Sequence, residues 1–112
     1  MLAPLLQEYR GVSKGASLED VSSSEVPAGQ MWEVQHANAE DETTALTSIR
    51  MGILRGTVFI PLAEQITAVA ATLYNVPQPI YLAQGERLCA RFKGSTSGDA
   101  LVLRFNGLAR EL

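Results

Sequence analysis

The chain has 112 residues, the size of a single domain. Its charged fraction is 19%, below the roughly 25% of an average globular chain, so its surface is less charged than usual and suited to burial against other proteins. The net charge is −3 with the nine basic residues scattered, and no apolar run reaches the ~18–20 residues that span a bilayer; neither nucleic acid nor membrane is an expected partner.

Residues 1–25 differ in character from the rest. Leu2, Leu5, Leu6 and Tyr9 cluster near the start, followed by the Ser- and Gly-rich stretch RGVSKGASLEDVSSSE. Such a composition cannot build a core alone. It fits a disordered tail or an arm that orders against a neighbour. The apolar tip favours the arm, with Leu2, Leu5, Leu6 and Tyr9 as its candidate interaction residues. The opening MLAPLLQEYRG has no basic region ahead of its apolar residues, so it does not read as a secretion leader, and synthesis in a cytoplasm is expected.

From Val26 to Leu112 the pattern is one of short strands and turns, taken as the folded domain. Pro27-Ala28-Gly29 is a turn, and Met31–Ala37 a strand with Trp32, Val34 and His36 on one face. Asn38–Thr44 reads as a polar, solvated loop around Glu40-Asp41-Glu42. Thr47–Leu54 alternates cleanly, with Ile49, Met51 and Ile53 on one side. Gly56 breaks it, and Thr57–Ile60 forms a strand that ends at Pro61.

Leu62–Tyr74 fits two patterns. Leu62, Ile66, Val69 and Leu73 share a helical face, which favours one short helix; its β-branched residues keep a strand open. Ile80–Leu82 is a short apolar strand, and Gln84-Gly85-Glu86 a turn. Arg87–Lys93 places Leu88, Ala90 and Phe92 on one face, residues 94–99 form a loop, and Ala100–Phe105 is the next strand. Asn106-Gly107 matches a two-residue hairpin turn, with Leu108–Leu112 returning as a strand. Six to eight short antiparallel strands predict an all-β sandwich of jelly-roll-like type, preceded by an extended N-terminal arm.

Two stretches carry a resemblance. VPAGQMW (Val26–Trp32) opens the first core strand, and PIYLAQGERLCARFKGSTSGDALVLRFNG (Pro79–Gly107) strings together strand, Gly-acid turn, strand, Gly-Asp loop and strand. They resemble the small β-sandwich virion proteins of tailed bacteriophages, capsid decoration or cement proteins and related neck and tail components, over roughly residues 26–107. The resemblance implies a structural role in the virion. The chain would decorate or staple a capsid through contacts with the major capsid protein or other virion proteins, as a homo-oligomer. The alternative is a tail or neck component, or a binding module that meets a host glycan or another tail protein.

Chemistry is scarce. His36 is the single imidazole and Cys89 the single thiol, far apart in sequence, so a nucleophile–base pair is not expected, nor an internal disulfide. The acidic run lacks the spaced pattern of a calcium loop. Glu86 and Asp99 each adjoin a glycine, as turn-capping acids do. Ser95, Thr96 and Ser97 read as loop polarity, and Trp32 as a core anchor. No metal, cofactor or catalysis is expected.

Overall fold

The computed structural model describes residues 2–45, 47–66, 74–76 and 78–112. These residues form nine strands: β1 (Leu2–Val12), β2 (Glu19–Ser22), β3 (Gln30–Asp41), β4 (Ser48–Arg55), β5 (Val58–Ile66), β6 (Tyr74–Val76), β7 (Ile80–Leu82), β8 (Glu86–Lys93) and β9 (Ala100–Glu111). Two antiparallel sheets pack face to face as a sandwich, so the chain is all-β. The first sheet runs β1-β9-β3, and β6 and β7 share the far side of β3; the second runs β2-β8-β4-β5.

Period-two alternation builds the core. Ile49 and Met51 on β4, Leu88, Ala90 and Phe92 on β8, and Leu101, Leu103 and Phe105 on β9 all point between the sheets and are buried. Trp32 and Val34 of β3 join them, and the Trp32 ring tilts against Phe105 with centroids 6.1 Å apart. The turns expected at Pro27-Ala28-Gly29 and Gln84-Gly85-Glu86 form. Pro27 O accepts from Gln30 N with Gly29 at positive φ, and Ala83 O accepts from Glu86 N with Gly85 at positive φ, the type II requirement. Gly56, also at positive φ, closes the two-residue β4–β5 hairpin.

Residues 2–25 are not set apart from the sandwich. β1 pairs with β9 along its whole length, from Leu2↔Arg110 to Val12↔Ala100, and β2 pairs with β8. The stretch thus supplies one edge strand to each sheet, and it places Leu5, Val21 and the Ser13 and Ser23 hydroxyls in buried positions. The boundary at residues 25/26 is a change of composition without a break in packing.

Further expectations are corrected. Asn106-Gly107 is no turn, because β9 continues through it to Glu111 and β3 keeps pairing beyond. Here β3 carries a bulge: Val34 pairs with Gly107 and His36 with Asn106, leaving Gln35 extra. A Cβ on Gly107 would stand 1.9 Å from Glu33 O, so this glycine permits a close backbone approach. The same bulge reverses parity, and His36 leaves the Trp32–Val34 face for solvent.

β3 also extends to Asp41, so Glu40 and Asp41 are buried strand residues and no solvated loop. β5 likewise does not stop at Pro61. It is an edge strand, where a missing N–H is tolerated, and a bulge at Leu62 restores the register beyond it. Residues 62–66 are therefore strand where the sequence favours a helix; the remainder of that segment up to residue 73 lies outside the described residues.

Candidate functional site

β1 positions the four candidate interaction residues by simple alternation. Leu5 and Tyr9 turn inward. Leu5 is part of the core, and Tyr9 stacks on Phe105 with centroids 6.1 Å apart and planes within 10°. The Tyr9 hydroxyl donates to Gln7 Oε1 and lies 3.3 Å from Ser24 Oγ. Leu2 and Leu6 turn outward, and Leu6 is 86% exposed. Val12, 68% exposed, lies further along the same strand. Among the described residues β1 pairs with β9 alone, so its other edge is open over eleven residues.

The outer face beside that edge has an apolar end and a charged end. Register aligns Leu2, Pro4 and Leu6 with Arg110, Leu108 and Asn106 of β9, and these with Met31, Glu33 and His36 of β3. Tyr81 of β7, opposite Glu33, is exposed at the far end of that row. His36 Nδ1 lies 3.3 Å from Asn106 Oδ1.

At the charged end Arg104 bridges Glu8 (2.7 Å) and Glu40 (2.9 Å), and Arg10 bridges Glu8 and Glu42 (3.3 Å each). Arg104, followed by Arg10, holds the Glu8 carboxyl below the usual range. Val102, flanked in register by Arg10 and Glu40, is completely buried. The exposed pairs of this net contribute little stability and are screened by salt. Their chief effect is to fix side-chain positions on the face.

A second cluster joins the β3–β4 turn to the loop before β9. Asp41 Oδ1 accepts from Thr43 N (3.0 Å) and Thr44 N (3.1 Å), and Oδ2 accepts from Thr47 Oγ1 (3.0 Å). Asp99 Oδ2 accepts from Thr44 Oγ1 and Thr96 N. The two carboxyls, each 2% exposed, are close enough to influence one another. Burial, the largest influence, raises Asp41, and Asp99 adds to the rise. For Asp99 burial acts in the same direction but is outweighed by the Thr44 hydroxyl, the Thr96 N–H and Asp41, which leave it lowered. The two carboxyls are therefore shifted in opposite directions. Every remaining oxygen contact serves a turn, so the cluster is a clamp on two loops.

Glu86 does the same at the opposite end of β8. It accepts from Ala83 N (2.7 Å) and from two nitrogens of Arg55 (2.8 and 2.6 Å). Burial opposes its ionisation, but these donors keep its carboxyl below the usual range. Glu86 and Asp99 are both turn acids, as their adjoining glycines suggest, and the length of β8 separates them.

Cys89 is fully buried on the second sheet, between Gly52 and Ser22 in register, while His36 is on the outside of the first. No nucleophile–base pair is assembled. Burial, with help from Asp20, pushes the Cys89 thiol up to about 12, which leaves it protonated and inert at neutral pH. Among the described residues no group of three or more His, Cys, Asp or Glu converges as a metal site. No protein-family model and no curated protein matches the chain.

Proposed function

We propose that the chain is a structural virion protein: a jelly-roll-like β-sandwich that decorates or staples a bacteriophage capsid through protein–protein contacts. The observation that carries this reading is the open edge of β1, with exposed Leu2, Leu6 and Val12 along it. Long free edges invite pairing with another chain, and natural proteins usually blunt them. Here Pro4 removes one donor and the Glu8–Arg10 pair adds charge, but apolar residues stay exposed on both sides of them. An apolar patch rimmed by a fixed charge net is the composition of a protein contact surface, and strand addition is a common way to use such an edge. The resemblance of residues 26–107 to phage β-sandwich virion proteins supplies the setting. Repetition over a shell would add avidity to individually modest contacts.

The test uses Leu6→Asp. The side chain is outside the core, so cooperative thermal unfolding should match wild type, while retention on purified particles is lost. Quantitative mass spectrometry of those particles should find copies on the scale of the capsid lattice. Unchanged retention, or a copy number confined to a single tail or neck ring, would remove the decoration reading.

A further inference from the structure

The outer face of the second sheet holds a cavity of about 350 Å³ lined by Ser17, Leu18, Ser48, Arg50, Arg91 and Lys93. That volume is at the lower end of small-ligand sites. Its floor has an unusual charge order. Register places Arg50 of β4 directly opposite Arg91 of β8, and Ser48 opposite Lys93. Like charges directly opposed across a ladder are destabilising unless something neutralises them.

The neutralising groups are at the flanks. Arg91 donates to both carboxylate oxygens of Asp20 on β2 (2.8 and 3.0 Å), and Arg50 donates to Glu64 on β5 (3.2 Å). Arg91 is also fixed over the Phe59 ring at 4.4 Å. Each guanidinium has its own carboxylate partner, and no acid is among the described residues that line the cavity. Lys93 makes no hydrogen bond or ion pair among the described residues, and it contributes only a through-space attraction to Glu64. Arg50 and Arg91 each have a carboxylate partner, and Lys93 has none among the described residues.

The remaining wall is built in advance. Glu19 Oε1 accepts from Lys14 N (2.8 Å) and Ala16 N (3.0 Å), which fixes the turn that presents Ser17 and Leu18. Ser48 Oγ donates to Glu64 (3.0 Å), so its position is set as well. The cavity thus offers one free ammonium, two oriented guanidinium groups, hydroxyls and one apolar side chain.

We infer that this cavity binds a single carboxylate carried by a small ligand. A monoanion matches the one cation without a carboxylate partner, whereas a dianionic phosphate would bring a second charge against guanidinium groups that are already paired. A carboxylate also meets guanidinium and ammonium donors in short charge-assisted bonds. The inference does not depend on the role of β1, which is on the other sheet.

The test is an amide chemical-shift titration of the full chain at about 0.15 M salt, where loose surface attraction is screened. The probes are glucuronate, N-acetylglutamate α-amide, glucose and phosphate. Both carboxylates should shift Ser17, Leu18, Ser48 and Lys93 saturably, and glucose should not. A preference for glucuronate identifies an acidic sugar as the source; equal or stronger binding of the glutamate analogue identifies an acidic side chain of a protein. Lys93→Gln should weaken binding by roughly tenfold, the loss of one charge-assisted bond, and Lys93→Arg should restore it. Lys93 is exposed, so both variants should fold as wild type. Shifts that stay linear, binding unaffected by Lys93→Gln, or phosphate binding tighter than either carboxylate would overturn the inference.

Discussion

Gly107→Ala separates a turn glycine from a close-approach glycine. The added Cβ would stand 1.9 Å from Glu33 O, 2.9 Å from Glu33 C and 3.0 Å from Gln35 N, all backbone atoms that no rotamer can move. To reach 3.0 Å from the oxygen, β3 and β9 must part by about 1.1 Å (3.0 less 1.9). A ladder bond near 2.9 Å is then stretched beyond useful length. About two such bonds flank the bulge, at ~1 kcal/mol net each, and overpacking adds ~1–3 kcal/mol. β9 cannot retreat, because β1 holds its other side, and β7 backs β3 over Trp32–Val34. The expected loss is about 3–5 kcal/mol, a large part of the ~5–15 kcal/mol that holds a domain together.

Urea unfolding of three variants resolves the cause. Gly85→Ala has open space and a φ of +81°, so it should cost about 1–2 kcal/mol from backbone conformation alone. Gly52→Ala meets Ile60 O at 2.1 Å, but β5 is an edge strand free to swing outward, so its cost should fall between the two. A Gly107→Ala loss no larger than that of Gly85→Ala would refute the close-approach argument.

Trp32→Ala should cost about 3–5 kcal/mol in the same assay, since the ring is buried against Phe105 and its Nε1 donates to Gln30 Oε1. Deleting residues 1–24 should abolish cooperative thermal unfolding, because it strips a paired strand from each sheet and removes Leu5 and Val21 from the core. Asp41→Asn and Asp99→Asn should change the pH dependence of stability in opposite directions. Asp41 is raised in the fold, so its contribution is full below the ordinary aspartate range and is lost as pH rises through the raised value; the Asp41→Asn variant, neutral at every pH, should gain on wild type from about pH 4 toward neutrality. Asp99 is lowered, so its contribution is present above that range and lost on acidification; the Asp99→Asn variant should fall behind wild type as pH rises toward about 4, and the difference should then stay level. Stability curves that run parallel to wild type for both variants would refute the opposed shifts of the two carboxyls.

Strands whose inward residues are large and apolar were legible from alternation. β4, β8 and the first half of β9 bury Ile49, Met51, Leu88, Phe92, Leu101 and Leu103 at every second position, and local turn chemistry punctuates them. β1 carries a weaker signal. Its inward positions are Leu5, Gln7, Tyr9 and Gly11, which share no hydrophobic period, and its partner β9 lies at the opposite end of the chain. Such a strand exists because another strand needs covering, and that need is not written locally. β2 is the same case at four residues, with Val21 alone pointing into the core.

The surface was harder to read than the core for a related reason: its chemistry depends on parity and on register. One extra residue at Gln35 moved His36 from the core side to solvent, and the continuation of β3 turned Asp41 from a loop acid into a buried neighbour of Asp99. Arg50 and Arg91 are far apart in the chain and carry no joint motif, yet register sets them face to face with Lys93 beside them. Asp20 and Glu64, on two edge strands, are what make that arrangement tolerable. A charge pattern of this kind can be judged only after the sheet order is known, because the residues that neutralise it and the residue left without a partner come from three different strands.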